Sequence, residues 1–259
     1  MSTSTAVPAE RVSLGDQIRS ELIKVRSARS LWLLPVAAVV LGPVTALFVG
    51  LTDSMETGDT VLGGALTGLT LSLAVIASWG ALVVTTEFSS GTIRPVLAAT
   101  PQRGIVLVAK MVAVGTIGIV VGVVTTTSAY AVGLGSITAG KYEAGEPLPG
   151  LLGIFGCFPA VALLGVGAGV ALRSSVGAVA VVAAHVVLPQ LSSAQAFGDL
   201  HKWVTVAAPS AVVAKLSQSS DGAAELMGSL GGWPRLGVVL AGTAGVLLLA
   251  RRTFEREDM

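Results

Sequence analysis

Six long runs of apolar residues alternate with short polar segments along this chain, at about 31–51, 61–86, 105–135, 150–172, 175–191 and 233–250. An α-helix rises about 1.5 Å per residue, so roughly 20 apolar residues cross a hydrocarbon core about 30 Å thick. The pattern predicts an all-α membrane protein with six transmembrane helices. The third run is longer than the hydrocarbon needs and predicts a helix that tilts or projects past the headgroups. Ahead of the first run, GDQIRSELIKVRSARS places Leu14, Ile18, Leu22 and Val25 at helical spacing, with Arg19, Lys24, Arg26 and Arg29 largely off that stripe. This predicts a basic amphipathic helix over residues 13–30 in the headgroup region. A plain flank of positive charge before a span is the alternative reading. Residues 1–12 are small and polar and are expected to be disordered. The connection at about 192–232 is too long for a turn, and Pro209 interrupts its apolar part. Two short helices that enter the outer leaflet and turn back are expected there, packed against protein because lipid cannot satisfy irregular backbone.

Composition agrees with a membrane protein: 53% of residues are hydrophobic, only 12% are charged, and mean hydropathy is +0.82. A formal net charge of +1 gives no basic field for nucleic acid. The polar first 30 residues do not resemble a secretory signal, so the first run is expected to remain as an anchor. With the N-terminus inside, twelve basic residues face the cytoplasm (Arg11, Arg19, Lys24, Arg26, Arg29, Arg94, Arg103, Lys110, Arg173, Arg251, Arg252, Arg256) and four face outward (Lys141, Lys202, Lys215, Arg235). That asymmetry predicts both termini inside, with a tail over 251–259. Glycines at three- and four-residue spacing, among them Gly63, Gly64 and Gly68, Gly115, Gly118 and Gly122, Gly165 and Gly169, and Gly242 and Gly245, suit close helix packing in lipid.

Candidate chemistry is sparse. Cys157 has no cysteine partner, and the two histidines form no zinc-protease pair. Gly135 to Lys141 fits G-x-x-x-x-G-K, but Tyr142 stands where a phosphate loop needs Ser or Thr, and no strand precedes it. The chain is therefore not expected to hydrolyse ATP, nor to be an enzyme. His185, midway along the fifth run, is a candidate intramembrane polar site. A neutral imidazole hydrogen-bonded to a neighbouring helix is the alternative.

The most informative stretch is TEFSSGTIRPVLAATPQRGIVLVAK, residues 86–110. Gly91 permits a tight turn beside Thr92, and Thr100 with Pro101 makes a good helix start. On charge alone, an ordinary positive-inside loop is the preferred reading. Its pattern resembles the loop after the second span of type-2 ABC transporter permeases: Glu87 and Phe88, then Gly91, Thr92, Ile93 and Arg94, then Leu97, Pro101 and Arg103, then Ala109 and Lys110. Glu21, Leu22, Lys24 and Arg26 are similar to that family's cytoplasmic elbow helix, which would also hold Ile18, and the Pro209 segment resembles its re-entrant outer helices.

The resemblance implies a six-span permease domain over 31–250 in the bacterial cytoplasmic membrane. Glu87, Phe88, Gly91, Thr92, Arg94, Arg103 and Lys110 would belong to its ATPase-docking loop. Glu87 would anchor the loop's backbone or accept a basic side chain of the ATPase. A solvated interfacial carboxylate is the alternative. The implied partners are two copies of an ABC ATPase, which bind ATP and magnesium, and a second permease subunit, with a homodimer expected. The implied activity is export of an amphipathic or hydrophobic compound or peptide by alternating access, conferring drug resistance. A membrane scaffold or immunity protein of the same fold is the other reading.

Overall fold

The computed structural model describes residues 13–56, 58–92, 95, 103–138, 140–191, 200–220 and 228–256. Ten α-helices account for most of them, and the described residues contain no strand beyond one isolated bridge between Thr60 and Glu143. Helix α1, Leu14–Ser27, starts where the Ser13 hydroxyl accepts the Asp16 amide at 3.2 Å, a side-chain N-cap. It ends at Ala28, whose extended backbone makes a one-residue bend into α2, Arg29–Thr52. Next come α3, Val61–Leu66, and α4, Leu69–Ser89, two pieces of one apolar stretch parted at Thr67 and Gly68. Helix α5, Arg103–Ser136, has 34 residues. It is about 51 Å long, so it outruns the hydrocarbon as its sequence predicts. The remaining helices are α6, Gly150–Leu172; α7, Ser175–Leu191; α8, Leu200–Val206; α9, Pro209–Leu216; and α10, Gly232–Arg256. Arg251 and Arg252, read above as part of a tail, are helical here, and Arg251 pairs with Glu255 at 2.8 Å.

Among the described residues, five helices are long and apolar enough to cross a membrane: Arg29–Thr52, Val61–Ser89, Gly104–Ser136, Gly150–Leu172 and Gly232–Glu255. The apolar helix Ser175–Gln190 is shorter. The apolar stretch Val61–Ser89 and α6 form the centre, each with 61% of its most apolar window buried, against 22% for α2 and 33% for α10. They meet at Gly80 and Gly165, where an added Cβ would collide with the backbone carbonyls of Ala162 and Ala77 respectively. Trp79 is fully buried in the same region, and its indole N–H donates to the Leu31 carbonyl at 2.7 Å, tying α4 to the start of α2. The glycines of α10 behave differently. A Cβ at Gly237, Gly242 or Gly245 would meet nothing within 4 Å, so the close packing expected at Gly242 and Gly245 does not occur within this chain.

At the end of the bundle away from α1, the connections are tied to one another. Lys141 pairs with Asp53, and the Tyr142 hydroxyl donates to Asp53 at 3.2 Å. The Ser220 amide donates to Asp59 at 2.7 Å, and the Glu146 amide to the Gln218 side chain at 3.0 Å. The G-x-x-x-x-G-K stretch ends among these contacts, after a helix and not after a strand. Helices α8 and α9 are 7 and 8 residues long, too short to cross, and α9 is almost wholly buried. Arg235, 1% exposed, donates to the Leu230 carbonyl at 3.0 Å and to the Thr205 carbonyl near the end of α8. Its guanidinium thus satisfies one carbonyl that the end of α8 leaves open and one from the connection before α10.

Candidate functional site

At the α1 end, four charged side chains from three helices close into one buried cluster. Lys110 of α5 contacts Glu21 of α1 at 2.5 Å and Glu87 of α4 at 3.0 Å. Lys24 of α1 contacts Glu21 at 2.6 Å and Glu87 at 2.9 Å. Each lysine bridges both carboxylates, so two negative and two positive charges balance. Glu21 and Lys110 side chains are 3% exposed, Glu87 is 11% and Lys24 is 36%. Burial alone would lower the Lys24 pKa, but its hydrogen bonds to Glu21 and Glu87 and their negative charge outweigh that and raise it.

Local sequence explains the geometry. Glu21 and Lys24 stand three residues apart and Glu21 and Val25 four apart, so all share one face of α1, which packs on α5 and α2. Glu87 lies near the end of α4, and Lys110 is two turns into α5. The cluster therefore grips both roots of the connection between these helices. Removing one member of a buried ion pair strands the other charge at a cost of about 3–5 kcal/mol, so the three helices are hard to separate here.

One oxygen, Glu87 Oε2, is buried without a hydrogen-bond partner among the described residues. Beside it opens a cleft of about 380 Å³ lined by Lys24, Ala28, Leu31, Thr86, Ser90 and Thr92, among others. The adjoining turn is built as the sequence suggests: Gly91 takes a left-handed φ of 70°, and the Ser90 and Thr92 hydroxyls lie 2.8 Å apart. The Arg173 guanidinium stands 5.5 Å from the Phe88 ring centre, a cation–π contact joining the α6–α7 turn to the end of α4. The Ser175 hydroxyl adds a bond to Thr85 at 2.9 Å.

The residues singled out by sequence thus separate. Glu87 and Lys110 turn inward and pair with α1. Among the described residues the Glu87 carboxylate is paired with Lys24 and Lys110. Gly91 and Thr92 are exposed, and Phe88 is half-buried. Arg94, the Arg103 side chain, Leu97 and the helix start at Thr100 and Pro101 lie outside the described residues. On α1, Leu14 and Leu22 are exposed, Ile18 is half-buried and Val25 is buried. The helix presents its leucines outward with Arg26, while the face it packs inward carries Glu21 and Lys24. Glu21 is the member that periodicity missed. The available signal was an acid three residues from a lysine in an otherwise basic helix, on the face that includes Val25. His185 is half-buried and lines a groove with residues of α6 and α10, apart from this cluster.

Five apolar helices of spanning length make this a multi-pass membrane protein. Residues 17–191 match the model of a family described as ABC-2 family transporter protein, and the chain belongs to that family. The matched stretch opens inside α1, closes at the end of α7, and contains all four members of the charge cluster. Membership makes the chain a transporter permease component and implies an ABC ATPase subunit as its partner. No curated protein matches the chain.

Proposed function

We propose that this chain is the permease subunit of an ABC exporter, with six crossings, α7 being the fifth, and with both termini in the cytoplasm of a bacterial cell. A separate ATPase, two copies of which bind ATP and magnesium, docks on the connection between α4 and α5. A second permease copy completes the pathway, and a hydrophobic or amphipathic compound is exported. The observation that carries this reading is the cluster of Glu21, Lys24, Glu87 and Lys110 at the two roots of that connection. A push on the connection reaches α4, α5 and α1 together, because the buried ion pairs tie the three helices to one another. The cluster thus acts as a clamp, and the exposed Gly91–Thr92 turn with Arg94 and Arg103 serves as the contact surface.

The test is co-purification with the cognate ATPase from membranes, followed by ATPase and efflux assays in vesicles. Arg94→Glu and Arg103→Glu should abolish ATPase capture while leaving the permease folded. Lys110→Met should retain capture but uncouple ATP hydrolysis from efflux. Failure to recover any ATPase, together with unchanged efflux in the arginine variants, would reject the proposal in favour of a scaffold or immunity role.

A further inference from the structure

We infer that the cleft between α1, α2 and α4 binds the headgroup of a zwitterionic bilayer phospholipid whose ammonium carries N–H groups, that is, an aminoethyl phospholipid. Two polar residues set this chemistry. Glu87 is 8% exposed and lines the cleft, and its Oε2 has no hydrogen-bond partner among the described residues. A buried carboxylate oxygen left open is costly, and a cationic N–H makes one of the strongest bonds to it. Lys24 lines the same cleft. Its ammonium has three N–H groups, of which Glu21 and Glu87 engage two. The third is left for an anionic oxygen, and the exposed Thr92 also lines the cleft with its hydroxyl.

Charge balance selects the occupant. The two carboxylates and two ammonium groups of the cluster already cancel, so a ligand of net charge would leave an excess beside buried ion pairs. A zwitterion adds none, with its ammonium against Glu87 and its phosphate against Lys24. The other walls are Val25, Ala28, Leu31 and Val83, which suit the glycerol and first chain carbons of a lipid better than a free, hydrated amino phosphate. Position agrees with a bilayer source. Leu31 lies in the first turn of α2 and Val83 in the last two turns of α4, so the cleft sits where two apolar stretches of spanning length reach the membrane boundary. Its volume of about 380 Å³ is within the range of small-molecule sites. The inference depends on membrane embedding but not on an ATPase, so its failure leaves the export reading untouched.

The experiment places the full chain, without ATPase, in nanodiscs holding equal amounts of three phospholipids with matched chains and ethanolamine, choline or glycerol headgroups. After detergent stripping, the lipid retained on each protein is counted by mass spectrometry. Choline keeps the positive charge but has no N–H, and the glycerol lipid is anionic. One hydrogen bond to a charged group predicts about tenfold more retention of the ethanolamine lipid than of the choline lipid. Single or double N-methylation, which spares an N–H, should preserve that preference. Glu87→Gln should reduce the ethanolamine lipid to the choline lipid's level. Ala28→Phe, which fills the cleft without removing a charge, should abolish its retention, with thermal unfolding of the stripped protein confirming the fold. Equal retention of the ethanolamine and choline lipids, preference for the anionic lipid, or undiminished retention in Ala28→Phe overturns the inference.

Discussion

Lys110 concentrates the residue-scale physics. Its side chain, 3% exposed, is held between two carboxylates, and both come from other helices. Lys110→Met should therefore destabilise the protein by about 3–5 kcal/mol, measured by denaturant unfolding in detergent. Lys24→Met, at a site 36% exposed, should cost about 1 kcal/mol or less. pH supplies a further check through Lys24. Its pKa is raised by folding, so the stability it provides is complete below its ordinary 10.5 and lost as pH climbs through the higher folded value. The gap between wild type and Lys24→Met should stay constant from neutral pH to about 10.5 and close above it. A gap that closes between neutral pH and about 10 would contradict the assignment. Little of this was legible from sequence. Spacing on α1 marks its apolar stripe, but Glu21 pairs with Lys110, 89 positions away, and Lys24 pairs with Glu87, 63 positions away. Nothing local distinguishes a buried acid from a solvated one. Glu87 and Lys110 were legible as a motif, and their direction was not.

At the scale of helices, sequence performed well for existence and poorly for contacts. Long apolar runs mark spans because lipid forces the backbone to satisfy itself within each segment. The glycines illustrate the limit. Gly165 and Gly242 look alike in sequence, each in an apolar helix with a second small residue one turn away. Gly165 abuts the carbonyl of Ala77, whereas Gly242 faces open space. Alanine substitutions should therefore have opposite signs. Gly165→Ala should cost about 1–3 kcal/mol through overpacking. Gly242→Ala should be neutral or stabilising by up to about 1 kcal/mol, because alanine is the better helix former. Thermal unfolding of the two variants side by side decides it. The pair of short helices around Pro209 was legible, but the buried arginine that holds the end of α8 was not. Arg235 reads in sequence as one more positive charge in a connection, and its partners are carbonyls, which sequence does not reveal.

For the whole molecule, the two ends are built differently, and that difference is open to a topology test. Ser89 lies at the exposed end of α4 and Ser54 at the exposed end of α2. The native Cys157 is fully buried and should stay silent. In intact cells, Ser54→Cys should react with an impermeant maleimide and Ser89→Cys only after permeabilisation. The reverse pattern would invert the proposed orientation. The ties among Asp53, Lys141, Asp59, Ser220, Glu146 and Gln218 have a mechanical corollary. Under the export reading, that face of the bundle would act as the fulcrum. From Lys110 to the end of α5 at Ser136 is about 39 Å of rigid rod. Each ångström of sideways travel imposed at Lys110 then tilts α5 by only about 1.5°, and a large swing at the driven face becomes a small, graded change of angle at the other.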